Sequence, residues 1–354
     1  MSKTFSEGAA MASPQSPARA VIGGSGAIPH RAAPKTYGRL TRHALNGATM
    51  GTRWAALFHA EPGFDPAPLR HALAAAVAEV DAQMSLWRPE SDLMRLSRAA
   101  PGVWIALPPR LMGVLQAALS VGRSSGGAFE IGMGDAVSAW GFGPSPADPE
   151  AIRAALAAPR RPAHEQLELD PSRGRARKHA PLWLDLNGIA KGCGVDRLAE
   201  EVQAAGLKAA LVSIDGELRA LGSQPDGTPW HVAIERPEAG HRAVHSMLGL
   251  RDAAVATSGD YRKWVTVNGR RLSHTMDPAR GAPLLTPPAS VTVVTQSCML
   301  ADAWATALMV LGPEAGGRMA DSLGLSALFL TPGPGGWVSQ THGPVFASAP
   351  EISR

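Results

Sequence analysis

Three segments of this chain combine residue types that handle phosphate, protons and hard cations. The first is Leu184-Asp185-Leu186-Asn187-Gly188-Ile189-Ala190-Lys191-Gly192. The pattern predicts a strand that delivers an acid, a glycine turn, a lysine and then a helix start. Free N–H groups and the helix dipole at such a junction favour an anion. Neither G-x-x-x-x-G-K-S/T nor G-x-G-x-x-G is present, so no standard nucleotide loop is spelled out. The plainer alternative is a strand-to-helix turn capped by Asp185. The second segment is Thr257-Ser258-Gly259-Asp260-Tyr261 with Ser273-His274-Thr275-Met276-Asp277-Pro278 and Arg280-Gly281-Ala282-Pro283. It sets hydroxyls, acids and one histidine on loops around a hairpin. Here the alternatives are a structural histidine and an Asp-Pro turn. The third is Ala301-Asp302-Ala303-Trp304-Ala305-Thr306. Asp302 and Thr306 are four apart, so a helix puts them on one face. A carboxylate beside a hydroxyl suits a hard divalent cation, which prefers oxygen ligands. The competing reading is an exposed Asp beside a Thr bonded back to its own helix. Together the three segments suggest a phosphorylated ligand held with Mg²⁺.

The elements that must position these residues follow from periodicity. Order is expected from about Leu45, after an Ala/Ser/Pro/Gly-rich tail over 1–40 that reads as disordered. Asp65-Pro66 opens a helix carrying Leu69, Leu73, Val77 and Val80 at helical spacing. Further helices are predicted over Arg110–Ser124, Pro149–Ala158, Val195–Ala205, Met299–Leu311 and Pro313–Leu323. Strands are predicted over Leu182–Leu186, Ala209–Ile214, Trp230–Ile234, Ala253–Thr257, Trp264–Val267, Ser290–Thr295, Leu325–Leu330 and Trp337–Ser339. Asn268-Gly269 supplies a hairpin turn. Residues 159–181 read as a Pro/Arg-rich surface excursion. The fold class is α/β or mixed α+β, with a single large domain over 45–348.

Composition narrows the function classes. The 354 residues are 45% hydrophobic and 18% charged, an ordinary globular balance. The net charge of +4 belongs to the first 40 residues, where Lys3, Arg19, Arg31, Lys35 and Arg39 face only Glu7. Residues 41–354 therefore carry no basic excess, which argues against a nucleic-acid-binding core. Cys193 and Cys298 are the two cysteines, so a disulfide scaffold is excluded. No zinc-ligand spacing and no apolar run of about 18 residues occurs. The N-terminus lacks a signal-peptide core or a cysteine for a lipid, so the sequence as given reads as cytoplasmic.

The motifs, taken in order, resemble those of the FAD:protein FMN transferases, the ApbE family of flavin transferases. The resemblance covers about Ala48 to Gly312. It rests on Met50-Gly51-Thr52, Met84-Ser85-Leu86-Trp87 with Ser91, and Gly127-Ala128-Phe129-Glu130-Ile131. It continues through Trp140-Gly141-Phe142, the Asp185–Gly192 run, Val195-Asp196 and Ala256–Tyr261. It ends with His274-Thr275-Met276-Asp277-Pro278, Gly281, and Ala301-Asp302 with Thr306.

The resemblance implies an ApbE-type fold that splits FAD at its pyrophosphate. FMN would pass to a Ser or Thr hydroxyl of an acceptor protein, and AMP would leave. It implies Mg²⁺ held by Asp302, Thr306 and the Gly188 carbonyl. Met50, Trp87, Ala128, Phe129, Glu130, Asp185 and Lys191 would line the FAD site. His274, Asp260 and Asp302 are the candidates for the base that takes the hydroxyl proton. The acceptor implied is a redox-chain or membrane-reductase subunit or a flavin reductase domain, and family members are often exported to the periplasm. The chain departs from the family pattern at three places. Glu130 stands for an Asp, and Asn187 stands for a frequent glycine. Ile214-Asp215-Gly216-Glu217 stands where Gly-Gly-Asp is common, and is read as structural. Two other readings use the same residues: an FAD pyrophosphatase and a non-catalytic flavin-binding protein.

Overall fold

A computed structural model describes residues 40–238, 243–260, 264–267 and 270–347. Residues 1–39 of the tail expected to be disordered, Tyr261, the Asn268-Gly269 turn and residue 348 lie outside the described residues.

The frame is an eight-stranded sheet whose strands follow one another in chain order. They are β1 (Thr41–Thr49), β2 (Thr52–Ala60), β3 (Ala210–Ile214), β4 (Glu217–Leu221), β5 (Ala253–Gly259), β6 (Ser290–Thr295), β7 (Ser326–Gly333) and β8 (Gly336–His342). Every neighbouring pair is antiparallel. Helices and hairpins are inserted between strands. Four helices matter most: α1 (Ala67–Met84), α2 (Pro109–Ser124), α3 (Ala190–Ala204) and α4 (Cys298–Leu323).

Period-two alternation sends side chains to both faces of this sheet. On one face Trp54, Phe58, Val212 and Ile214 pack with Leu69, Leu73 and Val77 of α1. Val195, Leu198, Ala199 and Val202 of α3 join them, spaced as one helical stripe. On the other face Leu57, Leu211, Val255, Leu328 and Leu330 meet a hairpin of Trp230–Glu235 and Val244–Leu250. Both faces are therefore covered, and β3 is buried at all five positions. A third cluster joins α2, Phe129, Leu184, Leu186 and the Ala303–Leu308 stretch of α4.

Most predicted helices are present, with α1 opened by Asp65 accepting the Ala67 N–H at 2.9 Å. The two C-terminal helices form α4 around a break at Gly312, whose φ of 72° favours glycine, followed by Pro313. Three expectations need correction. Leu182–Leu186 is not a ladder strand. Its backbone is satisfied elsewhere: Leu184 N–H donates to Ser97 Oγ, and Asp185 N–H donates to Ile131 O. Helix α3 starts at Ala190 rather than Val195, which puts Lys191 and Gly192 in its first turn. Residues 159–181 are more than a surface excursion. Leu167–Asp170 and Arg175–Lys178 pair with each other, the latter also with Ile105–Ala106, and Leu167, Ala176 and Lys178 are buried. No helix among the described residues is long and apolar enough to cross a membrane.

Candidate active site

The sheet ends near β4 and β5, the first turn of α3 and the first turns of α4 enclose a cavity of about 430 Å³. That size suits a small-molecule ligand. Met50, Trp87, Ala128, Phe129, Glu130, Asp185, Gly188, Lys191, His274, Asp302 and Thr306 all line it.

Met50 reaches the cavity from the two-residue turn between β1 and β2. Met50 (φ 44°) and Gly51 (φ 68°) are both left-handed, as a tight hairpin turn requires. A methionine in that conformation is uncommon, and here it places the side chain among the lining residues.

Helices α3 and α4 cross in backbone contact. A side chain on Gly192 would strike the Cys298 carbonyl. The Gly192 N–H donates to Asp302 Oδ2 at 3.0 Å. A methyl group at Gly188 would meet Thr306 Oγ1 at 2.9 Å, so the Gly188 backbone lies against that hydroxyl. Thr306 Oγ1 is also 3.3 Å from Ser258 Oγ on β5. Asp302 is 5% exposed, which overturns the reading of an exposed acid. Burial and the Glu217 charge push its carboxyl up to about 7, against Lys191 and the Gly192 N–H.

Lys191 sits in the first turn of α3, where the dipole disfavours a cation. Carboxylates offset that cost. Its Nζ donates to Glu217 Oε1 at 2.6 Å. Burial works against the ammonium, yet Glu217, Asp302 and Asp215 hold its pKa above the ordinary lysine value. Asp215, in the two-residue Asp215-Gly216 turn between β3 and β4, and Glu217, directly after it, line the cavity. The loop read as structural is thus part of the site. The Asp-Gly pair between two apolar runs was the signal for that hairpin.

Helix α4 is pinned by Asp196, which accepts from Ser297 Oγ at 2.8 Å, Cys298 N–H at 3.0 Å and Met299 N–H at 3.0 Å. Arg219 Nη1 donates to the same carboxylate at 2.7 Å. This cap fixes the register of the helix that carries Asp302 and Thr306. Asp196→Ala is expected to cost about 2–3 kcal/mol in urea unfolding. A loss under about 0.5 kcal/mol, the range of ordinary surface changes, would contradict the capping role.

The remaining predicted residues differ in how free they are. The Glu130 carboxylate accepts from Gly132 N–H at 2.6 Å and Ala163 N–H at 3.0 Å, and burial raises its pKa. Its longer arm therefore anchors the 163 segment. Asp185 accepts the Asn187 N–H at 2.7 Å, and burial raises its carboxyl too. Trp87 is 59% exposed at the cavity. His274 is half-buried, edge-on to Phe142 with ring centroids 6.5 Å apart. Its loop is tied down by Trp140 Nε1, which donates to Gly281 O at 3.0 Å. Asp260 is not a lining residue; its N–H donates to Ala289 O.

The ApbE family model matches residues 50–329. The chain belongs to the ApbE family. It is 36% identical to the FAD:protein FMN transferase of Vibrio cholerae serotype O1, across 81% of this chain and 86% of that one. The Escherichia coli K12 FAD:protein FMN transferase is 32% identical, across 81% of this chain and 83% of its own. Among solved structures, the flavin transferase ApbE from Vibrio cholerae superposes with a TM-score of 0.77 at 33% identity. That match spans 87% of this chain and 99% of the other. The apo flavinyl transferase ApbE of Pseudomonas stutzeri gives 0.76 at 34% identity, over 88% and 98%. The mixed α/β architecture of this ApbE-family chain thus extends over nearly the whole of those proteins.

Proposed function

We propose that this chain transfers FMN from FAD to a Ser or Thr hydroxyl of an acceptor protein and releases AMP. The observation that carries the reading is the convergence of Gly188, Lys191, Asp302, Thr306 and His274 on one cavity, in a chain related to named FMN transferases.

In the step proposed, the acceptor hydroxyl oxygen bonds to the FMN phosphorus. The bond from that phosphorus to the bridging oxygen breaks, and AMP leaves with the oxygen. His274 takes the hydroxyl proton. It lines the cavity without serving the cation, whereas Asp302 has that other task and Asp260 is outside the lining. Phosphoryl transfer needs positioning and charge neutralisation more than covalent help. Lys191 lends its ammonium to the pyrophosphate, and the exposed Trp87 offers a face for stacking an aromatic ring.

The donor set fits Mg²⁺. Asp302 is a buried carboxylate, Thr306 a hydroxyl against the Gly188 backbone. Glu217 Oε2 is buried with no hydrogen-bond partner among the described residues, and the acids outnumber Lys191. Among the described residues no three His, Cys, Asp or Glu are grouped to hold a metal. The residues holding the ion would be Asp302, Thr306 and the Gly188 carbonyl, leaving positions for water and phosphate oxygens as Mg²⁺ prefers. When bound, Mg²⁺ supplies neutralisation of the pyrophosphate charge.

The test is incubation with FAD and Mg²⁺, with and without an acceptor protein. Acceptor-dependent AMP release supports transfer. Equal FMN and AMP release without acceptor would mean that water is the nucleophile and would overturn it.

A further inference from the structure

Glu217 is a buried acid lining the site to which the proposed transfer step gives no task. Its side chain is 3% exposed. It opens β4 directly after the Asp215-Gly216 turn, so the sheet fixes its backbone. Oε1 is spent on Lys191 Nζ at 2.6 Å. Oε2 is buried and has no hydrogen-bond partner among the described residues. A buried carboxylate oxygen left unsatisfied is costly. A fold does not gain from such an atom when an apolar side chain could fill the place. The residue also lines the same cavity as Asp302, Gly188 and Thr306.

Lys191 gives this arrangement a second purpose. An ammonium that is to meet a pyrophosphate would repel a divalent cation in the same cavity. Pairing it with Glu217 removes that repulsion while keeping the lysine in place. The spare oxygen then remains as an acceptor. Mg²⁺ gives up its waters reluctantly and keeps several when it binds. Acceptors just outside the ligands orient such waters and raise affinity.

We propose that Glu217 belongs to the cation site as an outer carboxylate, binding the hydrated divalent ion through Oε2 while Oε1 holds Lys191. It is a positioning residue, and it rests on the reading of Asp302, Thr306 and Gly188 as ligands. A Gln at this position keeps the shape and an amide oxygen for Lys191 but removes the charge.

The test is Mn²⁺ binding to the full chain, followed by electron paramagnetic resonance, alone and with FAD. Glu217→Gln is expected to weaken Mn²⁺ binding about 10- to 100-fold, the usual range for acceptors behind metal ligands. Lys191→Gln removes the pair but keeps the carboxylate, so affinity should hold or rise. Thermal unfolding in the absence of metal checks that both variants fold. If Glu217→Gln fails to fold, Lys191→Gln measured without FAD still decides, because a tenfold loss of Mn²⁺ affinity there would show that the spare carboxylate oxygen does not hold the ion and would overturn the inference. Equal binding by Glu217→Gln and the unchanged chain would overturn the inference alone. No Mn²⁺ binding by the unchanged chain, with or without FAD, would overturn the cation reading and this inference with it.

Discussion

His274→Ala should lower the rate of FMN transfer by about two to four orders of magnitude, the range for a lost general base. FAD affinity should stay within a few-fold of the unchanged chain. The split follows from the place of the residue. His274 lies on a loop held by the Trp140–Gly281 hydrogen bond and packed edge-on to Phe142. It lines the same cavity as Lys191 and Asp302 but stands outside the two helices, α3 and α4, that carry them. Removing the imidazole takes away proton transfer and leaves the lysine, the acids and Trp87 where they are. Equilibrium FAD binding by fluorescence and single-turnover AMP release separate the two effects. Near-normal transfer by the variant would remove His274 from the mechanism. A matching loss of FAD affinity would make it a binding residue instead.

Asp302→Ala is expected to abolish transfer and the response to Mg²⁺ together, because the proposed ion loses its one carboxylate ligand. A pH dependence follows with a definite sign. In the metal-free chain the Asp302 carboxyl is pushed from the ordinary 3.8 up to about 7 by burial and by Glu217. A raised carboxyl pKa favours the folded state below about pH 4. That contribution is lost as pH rises through about 7. A bound cation acts in the opposite direction, since it requires the carboxylate. The rise in melting temperature on adding Mg²⁺ should therefore be larger at pH 8 than at pH 6. Asp302→Asn should flatten that difference. An active Asp302→Ala chain, still stimulated by Mg²⁺, would contradict the assignment.

That most of the candidate residues share one cavity was legible because their types and local spacing survive folding. Asp302 and Thr306 are four apart on one helix, and the structure keeps both on the cavity side. Glu217 was missed because its meaning is not local. Its partner Lys191 is 26 residues away and reaches it only when α3 packs on β4. Asp196 stands in the Val195-Asp196 motif, but its task also depends on a distant element, the start of α4. The helices followed their apolar period and their Pro and Gly punctuation. The strands were harder. In β2 the apolar run is nearly continuous because both sheet faces are covered, and in β1 exposed positions dominate. Leu182–Leu186 alternates like a strand, but its hydrogen bonds go to Ser97 and the 131–134 backbone rather than to a ladder. Alternation reports burial, and burial alone does not choose the hydrogen-bond partner.

The most direct test of the central claim is the intact mass of an acceptor protein after incubation with this chain, FAD and Mg²⁺. A gain of one FMN less one water is expected, located on a Ser or Thr and absent with His274→Ala. Release of FMN and AMP into solution with the acceptor mass unchanged would contradict it.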